Sequence, residues 1–215
     1  MLLAIDTSSA TTLVVLCDES GVRAALASGV SGGHERVVAV LIAQALVEAD
    51  ALASDVDSVA CGVGPGPFTG LRVGVMAALA FGRAVEAPVF GFCSLDMVAW
   101  SVAHGANPPP AFVVAADARR KEVYWATYAA DGRRTSEPAV GIPAAVAELI
   151  GDLPVAGPGS VIYAPFFPRG IEPSAATCDA LAGLVGTEWE RLAPTPLYLR
   201  PPDVAVPGPR KPVTQ

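Results

Sequence analysis

The chain has 215 residues, enough to bury one large core or two smaller ones, and 52% of them are hydrophobic against 16% charged. Its formal net charge of −7 excludes the basic footprint of a protein that binds nucleic acid by itself, so any contact with RNA should be local or made through another subunit. No apolar stretch is long enough to span a membrane, and Asp6 interrupts the apolar N-terminus, so we expect a cytoplasmic protein that makes no membrane contact.

The first 93 residues are predicted to form an N-terminal lobe. Apolar runs at residues 2–9, 11–17 and 22–27, separated by turn-like residues, predict a three-stranded meander. The pattern then predicts a helix over 34–50, a strand over 56–63, a helix over 69–85 and a strand over 88–92. This order is typical of a mixed α/β fold in which the later strands run parallel.

A glycine-rich turn at residues 64–67 joins the most strand-like run of the chain to an unusual helix, for which Thr69 is the predicted N-cap. The turn matches neither a phosphate-binding loop nor a dinucleotide fingerprint, so a structural turn is favoured. Small residues recur along one stripe of the helix, which predicts close approach by the sheet or by a second helix. The stripe consists of Gly70, Gly74, Ala78 and Gly82.

The first helix is apolar around most of its circumference, although a helix packed on one side of a sheet needs only a stripe. Its extra face is covered either by a second lobe or by another protein. The apolar positions are Val37, Val38, Val40, Leu41, Ile42, Ala45, Leu46 and Val47.

A second lobe is predicted over residues 94–193, with helices over 94–104, 143–150 and 174–185 and strands over 111–116 and 122–128. Residues 194–215 are so rich in proline that only a docked, extended strap is credible there, anchored by residues 197–199 and mobile beyond Val206. The four cysteines lack the spacing of metal ligands and are interpreted as small buried hydrophobic residues.

Few residues suggest catalysis. Asp6, followed by Thr7 and Ser8, ends the first strand, the position from which sugar kinases and actin-like ATPases address phosphate and metal. A lone aspartate there is more often a turn former. His34 has no histidine partner four residues later, where the chain has Val38, so no metal site is predicted and His34 either caps its helix or faces a partner.

The basic cluster at residues 119–121 is either a solvated turn or a small anionic contact, with Arg133 and Arg134 near it if a hairpin brings them together. Of the two roles, the solvated turn is favoured.

Four segments together resemble the TsaB family, also called YeaZ. They are LAIDTSS at residues 3–9, GPGPFTGLRVG at 64–74, DARRKEVYW at 117–125 and PLYLRPP at 196–202. The second is similar to the family's Gly-Pro-Gly-Ser-Phe-Thr-Gly-Leu-Arg loop, with Pro67 in place of the serine. The resemblance therefore runs from the first strand to the proline-rich tail.

The resemblance implies a two-lobed, ribonuclease-H-like fold of the actin, Hsp70 and sugar-kinase type, with mixed sheets flanked by helices. It also implies a non-catalytic subunit of the complex that places threonylcarbamoyl on the adenosine beside the anticodon of tRNAs reading A-starting codons. The expected partners are a TsaD-like catalytic paralogue, a TsaE-like ATPase and, when the chain is alone, a second copy. ATP and metal then belong to the partner complex, which alone brings tRNA.

By the same resemblance, the first two long helices pack against the equivalent helices of the partner, and residues 6–8 are a degenerate remnant of a nucleotide site. The alternative is a self-sufficient ATP-using phosphotransferase or hydrolase acting through Asp6; no proteolytic constellation is visible. The predicted interface consists of His34, Glu35, Val38, Leu41, Ile42, Ala45, Thr69, Gly70, Leu71, Arg72, Gly74, Val75 and Ala78.

Overall fold

Two β-sheets and six α-helices make up the fold in the computed structural model, which describes residues 1–29 and 33–200. The predicted tail beyond residue 200 lies outside the described residues. The strands are β1 Leu2–Asp6, β2 Thr12–Asp18, β3 Gly21–Ser28, β4 Ser58–Gly64, β5 Val89–Cys93, β6 Ala111–Asp117, β7 Val123–Ala129, β8 Ala139–Gly141 and β9 Val155–Ala156. The helices are α1 His34–Glu48, α2 Phe68–Ala84, α3 Leu95–Ala103, α4 Pro143–Ile150, α5 Pro158–Ile162 and α6 Cys178–Val185.

The first sheet has the strand order β3-β2-β1-β4-β5. Strands β1, β2 and β3 pair antiparallel, whereas β4 pairs parallel with both β1 and β5. The predicted meander and the predicted parallel strands are therefore confirmed. Because side chains alternate along a strand, Leu3 and Ile5 enter one core while Ala4 enters the core on the opposite face.

Helices α1 and α2 pack side by side on the face of this sheet that carries Leu3 and Ile5. The opposite face is covered by α6 and by Met97 of α3. Although α6 lies late in the chain, it packs on β1, β2 and β3, and it also contacts α3. The predicted lobe boundary after residue 93 falls between β5 and α3.

The second sheet has the order β8-β7-β6-β9, in which β6 pairs antiparallel with β7 and parallel with β9. One of its faces packs on α3 through Phe112 and Val114. The other face, with Val113 and Ala115, is covered by α4 and by Phe167. The sequence pattern predicted β6, β7 and α4 but gave no signal for the short elements β8 and α5.

One predicted helix cap and one predicted helix start are wrong. Helix α2 begins at Phe68 after Pro67, and no side chain caps it, so Thr69 is not its N-cap. Helix α6 begins at Cys178 and not at residue 174, because the Thr177 side chain accepts a hydrogen bond from the backbone amide of Ala180 at 3.1 Å.

The glycine stripe of α2 faces the sheet, which confirms one of the two packing arrangements predicted for it. A Cβ at Gly70 or Gly74 would collide with Thr7, and a Cβ at Gly82 would collide with Val89 of β5. The glycines therefore allow α2 to approach the ends of β1 and β5 more closely than any larger residue would.

Residues 191–200, which we call the strap, run along the edge of the first sheet and across its carboxyl end; the proline-rich composition had predicted a docked strap over residues 194–215 without its position. Leu192 exchanges backbone hydrogen bonds with Gly91 of β5, at 2.8 and 2.9 Å. The amide of Leu197 donates to the carbonyl of Val63 at 2.7 Å. Arg200 then donates to the carbonyl of Ala118, between β6 and β7, so the strap ties the two sheets together.

Candidate functional site: a closed aspartate and an open helix face

Asp6 lies at the carboxyl end of β1 and is completely buried. Its Oδ1 accepts hydrogen bonds from the amide of Ser8 at 2.9 Å and from the Ser8 hydroxyl at 2.8 Å, while Oδ2 accepts from the Ser94 hydroxyl at 2.7 Å. Burial raises the pKa of Asp6, and the hydrogen bonds from Ser94 and Ser8 oppose that shift. Both carboxylate oxygens therefore accept hydrogen bonds from other residues of the chain itself.

Gly62 of β4 and Gly66 of the glycine-rich turn pack directly against Asp6 and Ser8. A Cβ at Gly62 would overlap Oδ2 of Asp6, and a Cβ at Gly66 would press on the backbone of Ser8. Thr7 is also buried, and its hydroxyl donates to the carbonyl of Gly70 at 2.7 Å. Of the predicted nucleotide-site remnant, Asp6 and Thr7 are thus internal packing groups and Ser8 is partly buried, and this closed arrangement does not fit a nucleotide phosphate with its metal.

His34 is buried as well, and it neither caps a helix nor faces the surface. Its Nδ1 lies 2.7 Å from the hydroxyl of Thr12, and its ring lies beside Gly70. Within residues 1–29 and 33–200, no group of three or more histidine, cysteine, aspartate or glutamate side chains is placed to hold a metal ion.

Most of the residues predicted for a partner interface lie inside the chain's own packing. Of the thirteen, only Glu35, Thr69 and Arg72 are exposed. Leu71 and Ala78, for instance, are completely buried. A partner that approaches this chain meets the opposite faces of α1 and α2, and those faces carry different residues.

The outward side of α1 carries several exposed apolar residues among polar ones. Val40 is 52% exposed and Val47 is 80% exposed, and Ala39 and Ala43 are exposed beside them. With Gln44 and Glu48, these residues line an open groove of about 620 Å³. Sequence periodicity detected an excess apolar face on this helix, but it did not identify which of the two faces the sheet would cover.

The outward side of α2, which packs beside α1, also exposes apolar residues. Met76 is 61% exposed, and Phe68 at the start of the helix is 45% exposed. The Phe68 ring stacks on Tyr198 of the strap with centroids 4.8 Å apart, and the Arg72 guanidinium lies 5.2 Å from the Phe68 centroid. We call the exposed residues Val40, Ala43 and Val47 of α1 with Phe68, Arg72 and Met76 of α2 the outer face.

A partly buried ion cluster between α3 and β7 gave no signal in the sequence. Arg134 contacts both carboxylate oxygens of Asp96, at 2.9 and 2.8 Å, and pairs with Glu190, while Tyr128 donates its hydroxyl to Asp96 at 2.8 Å. Burial raises the pKa of Asp96 against the opposing charge of Arg134. Isolated charges spread over 95 residues carry no common signal, so only the fold brings them together.

This cluster also corrects the predicted grouping of basic residues. Arg133 and Arg134 follow the end of β7, where Asp131 and Asp96 pair with them. Residues 119–121 precede the start of β7, so the strand separates the two groups.

Comparison with known proteins gives three kinds of similarity. The family described as TsaD, tRNA N6-adenosine threonylcarbamoyltransferase, matches residues 25–169. An uncharacterized protein of Mycobacterium tuberculosis is 41% identical over 160 residues, which is 74% of this chain and 71% of the relative. The tRNA threonylcarbamoyladenosine biosynthesis protein TsaB of Escherichia coli is 32% identical over 133 residues, covering 60% of this chain and 55% of that protein.

Solved structures agree with these sequence matches. The structure of YeaZ from Pseudomonas aeruginosa superimposes with a TM-score of 0.75 at 28% sequence identity, covering 92% of this chain and 99% of that one. A second structure, of an uncharacterized protein with similarity to peptidase YEAZ from the same organism, gives a TM-score of 0.77 with coverage of 93% and 99%. The similarity therefore extends through both sheets.

Proposed function

Because this chain belongs to the TsaB (YeaZ) family, with its actin-like, ribonuclease-H-like fold, we propose that it is a non-catalytic subunit supporting a TsaD-type transferase. The chain takes part in the biosynthesis of tRNA threonylcarbamoyladenosine as a partner subunit. The alternative, a self-sufficient ATP-using enzyme, is not favoured.

The observation that carries the proposal is the outer face. It joins exposed aliphatic residues of α1 to Phe68, Arg72 and Met76 of α2, on two helices that pack side by side. Aromatic residues, methionine and arginine are the types enriched at the centres of protein interfaces. The proposed occupant of this surface is the equivalent helix pair of the TsaD-type partner, or of a second copy when that partner is absent.

The closed aspartate supports the non-catalytic part of the proposal. A carboxylate that acts on phosphate, metal or water has to be reachable by its target. In this chain Asp6 is completely buried, Ser8 and Ser94 hydrogen-bond to its two oxygens, and Gly62 packs directly against it. We therefore propose that ATP and metal are held by the partner complex, which would include a TsaE-like ATPase, and that tRNA is met only through the complex.

The test is threonylcarbamoyl transfer to tRNA by purified TsaD-type and TsaE-type partners, assayed with and without this chain, beside a turnover assay of the chain alone. We expect transfer that requires the chain, and no ATP turnover by the chain itself. Turnover by the isolated chain that Asp6→Ala removes would overturn the proposal and reinstate the enzyme alternative.

In the residues that the structure describes, 1–29 and 33–200, no helix has the length and apolarity needed to cross a membrane.

A further inference from the structure

The connection between β6 and β7 presents three basic residues in succession. Arg119, Arg120 and Lys121 are exposed, and their φ angles are 60°, 54° and 62°, in the left-handed region. Glycine adopts this conformation without steric cost, whereas long side chains do not. We call residues 119–121 the basic turn; its sequence is not the one that backbone conformation alone would favour.

The acidic residues that flank the basic turn are both engaged by the body of the protein. Asp117 accepts hydrogen bonds from the backbone amide of Arg119 at 2.9 Å and from the hydroxyl of Tyr163 at 3.2 Å. Glu122 pairs with Arg200 of the strap. Asp117 and Glu122 thus anchor the ends of the loop, while the three basic residues between them are exposed.

The charge of this region is opposite to that of the whole chain. Asp117 to Glu122 together with Arg200, which bonds to the base of the turn, comprise four basic residues and two acidic ones, whereas the chain carries a net charge of −7. Arg119 keeps a side-chain exposure of 72% although it lies 3.5 Å from Asp117. A small, fixed group of exposed cations suits phosphate groups of a nucleic-acid backbone, which are bound without regard to sequence.

The strap connects the basic turn to the outer face. Arg200 holds the base of the turn, and two residues earlier Tyr198 stacks on Phe68 of the outer face. An RNA held beside a partner on the outer face would therefore lie within reach of the turn. We propose that Arg119 and Lys121 contact phosphate groups of the tRNA that the complex modifies. This inference rests on the proposed function.

The experiment measures tRNA binding by the assembled complex of this chain with its TsaD-type partner, as a function of salt. The double variant Arg119→Glu/Lys121→Glu should weaken binding at least about tenfold near 0.1 M salt and lower the slope of log K against log salt by about 1 to 2. Arg119→Gly/Lys121→Gly should weaken binding several-fold, and since glycine suits the φ angles of the turn, misfolding would not explain that loss.

Arg133→Glu is the matched control, because Arg133 is also exposed and also faces an aspartate two residues earlier, Asp131 at 3.9 Å. It should leave both the affinity and the salt slope unchanged. Equal behaviour of the basic-turn variants and Arg133→Glu in an intact complex would overturn the inference, as would failure of these variants to assemble, which would indicate a protein contact. Failure of the wild-type chain to assemble would instead overturn the proposed function.

Discussion

The closed aspartate and the outer face lie on the two sides of α2, and they differ in whether the chain's own packing covers them. On the inner side Asp6 is buried and hydrogen-bonded to Ser8 and Ser94, and the chain packs closely over it at Gly62 and Gly66. On the outer side Val40, Val47 and Met76 expose apolar surface that the chain's own packing does not cover.

This difference separates a retained structural role from a role in association. A buried polar site that the chain closes over is not reached by a substrate, whereas burial of an uncovered apolar surface by a partner is favourable because it removes that surface from water. One helix serves both sides: Gly70 and Gly74 face Thr7, and Met76 faces outward. The following changes act on one side at a time.

The largest effect is expected on the closed side, from Gly62→Ala. The new methyl group would overlap the Asp6 carboxylate and approach Ser94, and since both are hydrogen-bonded they cannot move without losing those bonds. We expect the free energy of unfolding to fall by about 3 kcal/mol, measured by urea denaturation. Gly29→Ala, which adds the same group where no atom of the described residues lies within 4 Å, should change it by less than about 0.5 kcal/mol. Equal shifts for both variants would contradict the closed arrangement.

The next effect is expected on the open side, from Met76→Glu. A carboxylate at this exposed position leaves the isolated chain folded, but it would be desolvated on association. Affinity for the TsaD-type partner should fall by about 2 kcal/mol, or roughly 30-fold, in a titration by calorimetry.

The control for this change is Leu149→Glu, which alters a 74% exposed residue of α4 in the same way. It should leave the affinity unchanged, and both variants should unfold within about 0.5 kcal/mol of the wild type. Equal loss of affinity in the two variants would show that negative charge in general, and not the outer face, weakens association.

The comparison also shows why the sequence predicted some features and missed others. The meander and the parallel strands follow from the local alternation of apolar runs and turn residues, as in residues 2–27. The close approach of α2 to the sheet follows from the lack of a side chain at Gly70 and Gly74. Both features could therefore be predicted from the sequence. The α1 pattern could not separate Leu41, which is buried, from Val40, which is exposed, because two apolar stripes on one helix are equivalent until the sheet covers one of them.

Groups that meet through tertiary structure were beyond the sequence for a different reason. Ser94 completes the hydrogen bonds of Asp6 from 88 residues away, and Arg134 meets Asp96 across 38 residues. Neither pair has a fixed spacing that a pattern would recognise. Asp6 was therefore identified as a candidate, but its burial and its hydrogen bond to Ser94 were not predicted.

A smaller change on the closed side, Asp6→Asn, tests whether burial disfavours the charged form of the aspartate. Asparagine keeps an oxygen for Ser8 but disturbs the bond to Ser94, so at neutral pH the free energy of unfolding should stay within about 1 kcal/mol of the wild type. Burial raises the pKa of Asp6 above 3.8 in the folded state.

The sign of its pH dependence follows from that shift. The stability that Asp6 contributes is fully present below pH 3.8 and is lost as pH rises through the folded-state pKa. The wild type should therefore lose stability relative to Asp6→Asn as pH rises from about 3.8 through the folded-state pKa, measured by denaturation at several pH values. The opposite trend would mean that the hydrogen bonds from Ser8 and Ser94 outweigh burial.

The smallest effect is expected where the two sides meet, from Tyr198→Ala in the strap. Leu197 is bonded to Val63 on the closed side, while Tyr198 stacks on Phe68 of the outer face, so the strap belongs to both. An aromatic pair contributes about 0.5–1.5 kcal/mol, and we expect affinity for the partner to fall by about 1 kcal/mol, roughly fivefold, with Tyr198→Phe unchanged. If the free energy of unfolding fell by the same amount while the affinity did not change, Tyr198 would stabilise the fold of the chain and make no contribution to association.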